Sequence, residues 1–550
     1  MAWPRPLEWA SALLSGPPPP HSAWAAALLL LPASLLLWSL CSQLVDRLGR
    51  SLPPGPREWP VIGALPWVLT YRHRMLDGLL RALESQGGLH SAPRTLSARW
   101  LGEPRWWFTA DPAVVEHVLR TNFGGYVKGA PVASRLGALL GRGIFTQDGE
   151  AWRAQRKAAS WMFSHREMTD TVMAAIVSHG PGLTARLDAA AASGAAVDLH
   201  ALFHAFTLDS IGLIAFGAEL GALEDPALPF ARAFDAAQAL VDKRFVTPGW
   251  RLWEALDGSG ARLAAAAAVV QSHAQGLIDA RRAAGDAAAR RDVLSRLMCE
   301  TDEAGGAAHS DAALRDAVTN FMVAGRDTTA QALSWGVLLL ATHPEAERQV
   351  AAEAAALWGG APEAGGGRVP FDAITARLPF TTACVLETLR LYPSVPKDVK
   401  TAVRDDTLPC GARLRAGEML LWSPFAMGRS RALWGADAAD FRPARFLTPE
   451  GALARPSPFK FTAFNAGPRT CLGSQMALAE AAYVLALLLQ RYTLRLAPDL
   501  AARVHAWGAA AAAGGAAAAA AGVTPVPYME SLTLPMAQPL MCLVTRRVNK

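Results

Sequence analysis

Phe464-Asn465-Ala466-Gly467-Pro468-Arg469-Thr470-Cys471-Leu472-Gly473 decides the reading of this chain. It fits the pattern F-x-x-G-x-R-x-C-x-G and runs straight into an apolar helical pattern over 474–492. Five fixed positions coincide by chance on the order of once in 10⁴ chains of this composition. The chemistry is coherent: as a thiolate, Cys471 can ligate haem iron and push electron density toward it. Gly467 and Gly473 permit tight turns and a close approach of backbone to sulfur and porphyrin. Backbone N–H groups and the start of the following helix would tune the thiolate. Arg469 is placed to pair with a haem propionate. The plainer alternative is a structural thiol buried in a Gly-rich turn, the commoner fate of a lone cysteine. The other cysteines (Cys41, Cys299, Cys384, Cys410 and Cys542) form no C-x-x-C, so a disulfide framework, a zinc ribbon and covalent c-type haem attachment are unsupported.

Outward from this loop, residues 312–342 read as one long helix. Met322-Val323-Ala324-Gly325-Arg326-Asp327-Thr328-Thr329 interrupts its apolar pattern with small and polar residues. Gly325 alone costs such a helix about 1 kcal/mol relative to Ala. A local distortion there would open a groove for dioxygen and a water, with Asp327 and Thr328 relaying protons. The bland alternative is a kinked core helix. Glu387-Thr388-Leu389-Arg390 sets opposite charges on one helix face, and Phe441-Arg442-Pro443-Ala444-Arg445-Phe446 follows downstream. Ala151-Trp152-Arg153-Ala154-Gln155-Arg156 places Trp152 and Arg156 one helical turn apart.

Together these motifs resemble those of the cytochrome P-450 superfamily, of the membrane-anchored microsomal type. The resemblance covers essentially everything after residue 58. It implies a mostly α fold with a minor β-sheet, and a haem b whose iron takes the Cys471 thiolate as axial ligand. Phe464, Gly467, Arg469 and Gly473 would shape the haem pocket, with Trp152, Arg156 and Lys400 beside the propionates. The family pattern A/G-G-x-D/E-T-T/S is met at every position, which implies Asp327 and Thr328 as the proton-delivery pair. Glu387, Arg390 and Arg445 would form a structural charge network; Ala444 stands where many relatives carry Glu.

The motif combination also resembles a plant and algal clan of fatty-acid hydroxylases, with Leu391-Tyr392-Pro393-Ser394-Val395-Pro396 and Ala426-Met427-Gly428-Arg429 adding to it. That implies hydroxylation of a long-chain fatty acid, commonly at the chain end. Terpenoids, sterols and carotenoids are the alternative substrates. Phe321, Met322, Ala324, Val395 and Val399 are the pocket candidates. No convincing G-x-G-x-x-G marks a flavin or nicotinamide domain. Electrons would therefore come from an NADPH-cytochrome P-450 reductase, for which Arg153, Arg156, Lys157 and Lys460 are candidate docking residues. Peroxide-rearranging relatives typically lack the acid–Thr pair, so Asp327 and Thr328 argue against that class and weigh against a haem sensor. A membrane protein that binds no haem is the remaining alternative.

The 550 residues are 51% hydrophobic and 18% charged, against roughly 25% charged in an average domain. A largely disordered chain is excluded. A net charge of +6 is too dilute to indicate nucleic-acid binding. No Asp, Glu, Lys or Arg occurs over 9–45, and the apolar run 23–40 would span about 27 Å as a helix. Arg47, Arg50 and Arg57 follow it against Arg5 before it, so the body is expected on the cytosolic side. A cleaved signal peptide is the alternative; the long apolar run and the later basic flank favour an anchor. The expected organisation is an anchor over 1–50, a proline-rich hinge over 51–58 and a catalytic domain over 59–550, single-pass in the endoplasmic reticulum membrane.

Within the body, helices are expected over 112–121, 151–163, 168–187, 199–216, 262–284, 312–342, 344–357, 381–391 and 474–492. Short strands are expected around 95–100, 105–109, 401–403, 419–423 and 541–545. The Gly-rich 359–367 and the Ala/Gly-rich 508–522 read as surface insertions.

Overall fold

The computed structural model describes residues 52–547 apart from 86–94, 101–102, 226–227, 302–306, 359–368 and 514–525, with scattered positions between 34 and 44. The expected anchor therefore lies almost wholly outside the described residues, as does the Gly-rich 359–367.

Seven helices position the candidate residues: α1 (Gly149–Ser160), α2 (Leu199–Phe216), α3 (Pro229–Val246), α4 (Asp311–Met322), α5 (Thr328–Thr342), α6 (Pro379–Leu391) and α7 (Ser474–Arg491). The Asp198 side chain caps α2 by accepting the His200 N–H, and Gly217 ends it in the left-handed region. Apolar nearly all round, α2 is a core helix. Among the described residues it is the one helix long and apolar enough to cross a membrane, yet most of it is buried within the body. Pro379 opens α6, and the Glu353 carboxylate accepts the N–H groups of Phe380 and Thr381 at 2.8 Å each. A π-helical turn, Val323–Asp327, separates α4 from α5. Such turns are rare and frequent at functional sites. Gly325 lies in it because α2 presses close: a Cβ there would sit 2.4 Å from Ile211 Cγ1.

The strands are β1 (Thr95–Ala98), β2 (Trp106–Thr109), β3 (Tyr126–Val127), β4 (Val197–Asp198), β5 (Asp398–Ala402), β6 (Asp406–Thr407), β7 (Arg413–Leu414), β8 (Met419–Trp422), β9 (Tyr492–Leu496) and β10 (Met541–Arg546). They make a five-stranded sheet ordered β1-β2-β8-β5-β3, a three-stranded sheet β4-β10-β9 and the pair β6-β7. In β5, Asp398 pairs in register with Trp422 and Lys400 with Leu420. Two residues apart, Asp398 and Lys400 share one face of that strand. The mostly helical fold with minor sheets agrees with the sequence reading.

Three local expectations are corrected. The helix expected over 168–187 breaks at His179, because Gly180-Pro181 opens a new helix, Gly180–Ser193. Pro181 has no N–H to continue the old one. The strand expected at 401–403 begins earlier, at Asp398. The Ala-rich insertion is in part a helix continuing through Ala513, as the high helix propensity of Ala favours; the rest of it lies outside the described residues.

Candidate active site

The cysteine loop is closed by its own backbone. The Cys471 N–H donates to the Phe464 carbonyl at 2.8 Å, and Thr470 bonds the Gly467 carbonyl through its N–H at 3.0 Å and its hydroxyl at 2.7 Å. Gly467 takes φ +62°, and a Cβ there would lie 2.1 Å from the Leu119 carbonyl oxygen. Cys471 is accessible. Yet burial within the surrounding protein pushes its thiol pKa up, against the opposing pull of the Gly473 N–H and Arg156.

Helix α1 lies against the loop, and Arg156 donates to the Thr470 carbonyl at 2.8 Å. Trp152 is buried, with the Arg469 guanidinium 4.1 Å and that of Arg156 5.8 Å from its ring centre. Arg469 pairs with Asp148 at 2.9 Å and donates to the carbonyls of Gln147 (2.7 Å) and Ile144 (3.2 Å). From β5, Lys400 is 1% exposed, and its Nζ has no hydrogen-bond partner. Burial, then Lys128 and Arg469, pushes its pKa down to about 7. Asp398 pairs with Lys128 and accepts from the Asn465 side chain at 3.0 Å.

Four cations (Lys128, Arg156, Lys400 and Arg469) thus stand with two carboxylates, Asp148 and Asp398. Arg469 Nε, like Lys400 Nζ, is buried without a partner. Orphaned cationic donors beside a net surplus of positive charge fit an anion that would satisfy both. A haem with two propionates, its iron on the Cys471 sulfur, matches this donor set.

A second cluster centres on the fully buried pair Glu387 and Arg390. Glu387 and Arg390 make two 2.7 Å bonds, and Arg390 also reaches the carbonyls of Gly428, Ala438 (2.6 Å) and Asp440 (2.9 Å). Arg445 reaches Glu387 at 3.3 Å and Asp437 at 2.8 Å, and the Arg442 N–H donates to Glu387 at 2.8 Å. Asp437 is thus a further charged member of this network, and no motif marks it.

On the central helix, Asp327 and Thr328 take different partners. The Thr328 hydroxyl donates to the Ala324 carbonyl at 2.7 Å. Asp327 is buried and accepts from Gln238 Nε2 at 2.7 Å and Arg326 Nη1 at 3.0 Å, with His204 Nδ1 at 3.5 Å. Burial raises its pKa, but Arg326, His204 and Gln238 together outweigh that and hold it low.

Of the pocket candidates, Met322 and Val399 are buried, Phe321 and Ala324 half-buried and Val395 exposed. Among the docking candidates, Arg153 and Lys157 are exposed on α1. Lys460 Nζ instead packs 4.3 Å over the Trp434 ring. Sequence reading missed Lys128, Asp148, Asp398, Asn465, His204 and Gln238. Their partners lie far away along the chain, Asp148 being 321 residues from Arg469, so no local spacing marks them.

The family model for cytochrome P450 matches residues 53–503. Cytochrome P450 704B1 of Arabidopsis thaliana is 35% identical over 496 residues, covering 83% of this chain and 92% of that protein. Cytochrome P450 monooxygenase cyp1 of Mycosarcoma maydis is 33% identical, over 90% of this chain and 76% of its own length. Cytochrome P450 86B1 of Arabidopsis thaliana is 34% identical, over 80% of each. With a match that runs from the proline-rich segment past the cysteine loop, the chain belongs to the cytochrome P450 family of haem-thiolate monooxygenases.

Proposed function

We propose that the chain hydroxylates a long-chain fatty acid, at or near the chain end, with electrons passed from NADPH by a cytochrome P-450 reductase. The single observation that carries the site assignment is the pair of buried cationic donors without a partner, Lys400 Nζ and Arg469 Nε, in the cationic cluster that Arg156 joins to the Cys471 loop. The fatty-acid reading is supported by the combination of Ala324–Thr329, the cysteine loop, Leu391–Pro396 and Ala426–Arg429.

When bound, the haem supplies reductive activation of dioxygen and oxidation of the C–H bond. The chain's own residues do the rest. Cys471 binds iron as the thiolate, which the Gly473 N–H and Arg156 favour over the thiol. Trp152, Arg156, Arg469 and Lys400 hold the propionate edge. Phe464, Gly467 and Gly473 let the loop backbone approach the porphyrin, and Glu387, Arg390 and Arg445 fix the surrounding backbone. Overall, RH + O2 + 2 H⁺ + 2 e⁻ gives ROH + H2O, so the site must deliver protons as well as electrons. Asp327, a carboxylate at rest, takes up a proton transiently and Thr328 passes it on through its hydroxyl. A peroxide rearrangement needs neither, and the acid–Thr pair therefore favours the oxygenase.

Residues 1–50 anchor this domain to the endoplasmic reticulum membrane, 51–58 form the hinge, and 59–550 work on the cytosolic face. The charge-free 9–45 and the arginines after it support that topology. The test is an optical titration of the purified full chain with a series of long-chain fatty acids. A saturable low-to-high-spin shift, followed by a hydroxylated product with reductase and NADPH, is expected. An intact haem spectrum that no fatty acid perturbs would overturn the lipid reading in favour of terpenoids or sterols.

A further inference from the structure

If Asp327 delivers a proton in each turnover, it must recover one, yet its side chain is 2% exposed. Three side chains reach it. Gln238 is an amide, with no proton to give near neutral pH. Arg326 keeps its protons, its pKa raised by Asp327 and Asp235 in spite of burial. The third is His204 of α2, whose Nδ1 lies 3.5 Å from Asp327 Oδ1 and whose side chain keeps 13% of its surface accessible. Nδ1 is buried and has no hydrogen-bond partner, so the carboxylate is the group it faces. Histidine is the side chain whose ordinary pKa falls between pH 5 and 8.

The other groups around this pair leave His204 alone in the role. On α2, His200 stands ring to ring with His204 at 4.7 Å and bonds the Ser334 hydroxyl at 3.0 Å. Burial pushes the His200 pKa down to about 3, so His200 stays neutral. On α5, Gln331 lies 3.3 Å from His204 Nε2. On α3, Gln238 holds Asp327 and Asp235 holds Arg326 at 2.6 Å.

We propose that His204 is the relay through which Asp327 regains protons from solvent. This rests on the reading of Asp327 as the carboxylate that takes up and passes on each proton. In the step, the Nδ1–H bond of the imidazolium breaks and an Oδ1–H bond forms on Asp327, leaving a neutral ring and a neutral carboxyl. The ring then turns and takes a hydrogen ion from water; no electrons move. His204 touches neither substrate nor the reacting atoms, and is a positioning residue that acts through Asp327.

The test uses the haem-loaded full chain with reductase, NADPH and a turning-over fatty acid, as wild type, His204→Gln, Asp327→Asn and the double variant. Product formation per NADPH in His204→Gln should fall by about a hundredfold, the low end of what positioned proton transfer contributes. The decline of wild-type turnover as pH rises through the histidine range should vanish, while haem content and the substrate-induced spin shift stay unchanged. The double variant should be no worse than Asp327→Asn. Separately from turnover, the His204 ring resonances, followed by histidine-selective NMR at fixed pH, should move on Asp327→Asn, because Nδ1 faces Oδ1 at 3.5 Å. If Asp327→Asn is impaired while His204→Gln keeps wild-type coupling and pH profile, the relay is overturned and the Asp327 reading stands. If Asp327→Asn is itself unimpaired, the Asp327 reading fails and the relay with it. Should His204→Gln fold poorly, His204 ring resonances indifferent to Asp327→Asn overturn the relay.

Discussion

Lys400 has no counter-charge bonded to it in a fully buried position, and that makes it a reporter of the haem edge. Its pKa falls from 10.5 to about 7, with burial the largest cause. Between those values the unfolded chain binds a proton that the folded chain does not. Stability of the haem-free protein should therefore rise with pH from about 7 to about 10.5. Propionates beside the ammonium should remove that slope. Urea unfolding of haem-free and haem-loaded protein across this window measures both. Lys400→Met should flatten the haem-free profile and weaken haem retention; identical profiles for the two forms would place the propionates elsewhere. Sequence motifs supplied Cys471, Arg469, Trp152 and Arg156, and the structure brings these four together. They could not supply Asp148 or Asp398, whose roles arise only when α1, β5 and the cysteine loop meet.

At the scale of elements, α2, the π turn and α7 pack around buried polar groups. Gly325→Ala should cost about 1–3 kcal/mol by driving a methyl into Ile211. Thermal unfolding reads it, and an unchanged midpoint would mean that α2 yields freely. Glu480 on α7 is fully buried, and burial raises its pKa to about 8, with the Ser210 and Thr329 hydroxyls pulling it back only in part. From about 4.5 to about 8 the folded chain binds a proton that the unfolded chain does not, so this group's contribution to stability falls as pH rises through that window. Glu480→Gln should abolish that fall, changing little at the acid end and stabilising at the alkaline end. Denaturant midpoints at several pH values decide it. The bounds of α2 were legible because Asp198 and Gly217 mark its ends. The distortion of the central helix at Gly325 was legible in its small and polar residues, but that it is a π turn was not, since one residue of extra winding leaves no mark on an apolar pattern already broken. Glu480 was invisible for a related reason: a lone acid in an apolar helix does not reveal which way it faces.

Across the whole molecule, the Glu387–Arg390 pair ties α6 to the segments carrying Gly428, Ala438, Asp440 and Arg445. Removing one partner of such a buried pair costs about 3–5 kcal/mol, a large share of a typical stability of roughly 5–15 kcal/mol. Arg390→Ala should therefore accumulate as haem-poor protein, and Arg390→Lys should not restore it because the two-pronged geometry is lost. Haem content per folded chain is the readout; full loading in Arg390→Ala would make the network dispensable. The central claim, that Cys471 holds the haem iron as a thiolate, is tested most directly by the absorption spectrum of the reduced, carbon monoxide-bound protein. Wild type should show the red-shifted band of thiolate ligation, and Cys471→His should lose that band even where haem remains bound. A thiolate-type spectrum that survives in Cys471→His would contradict the account.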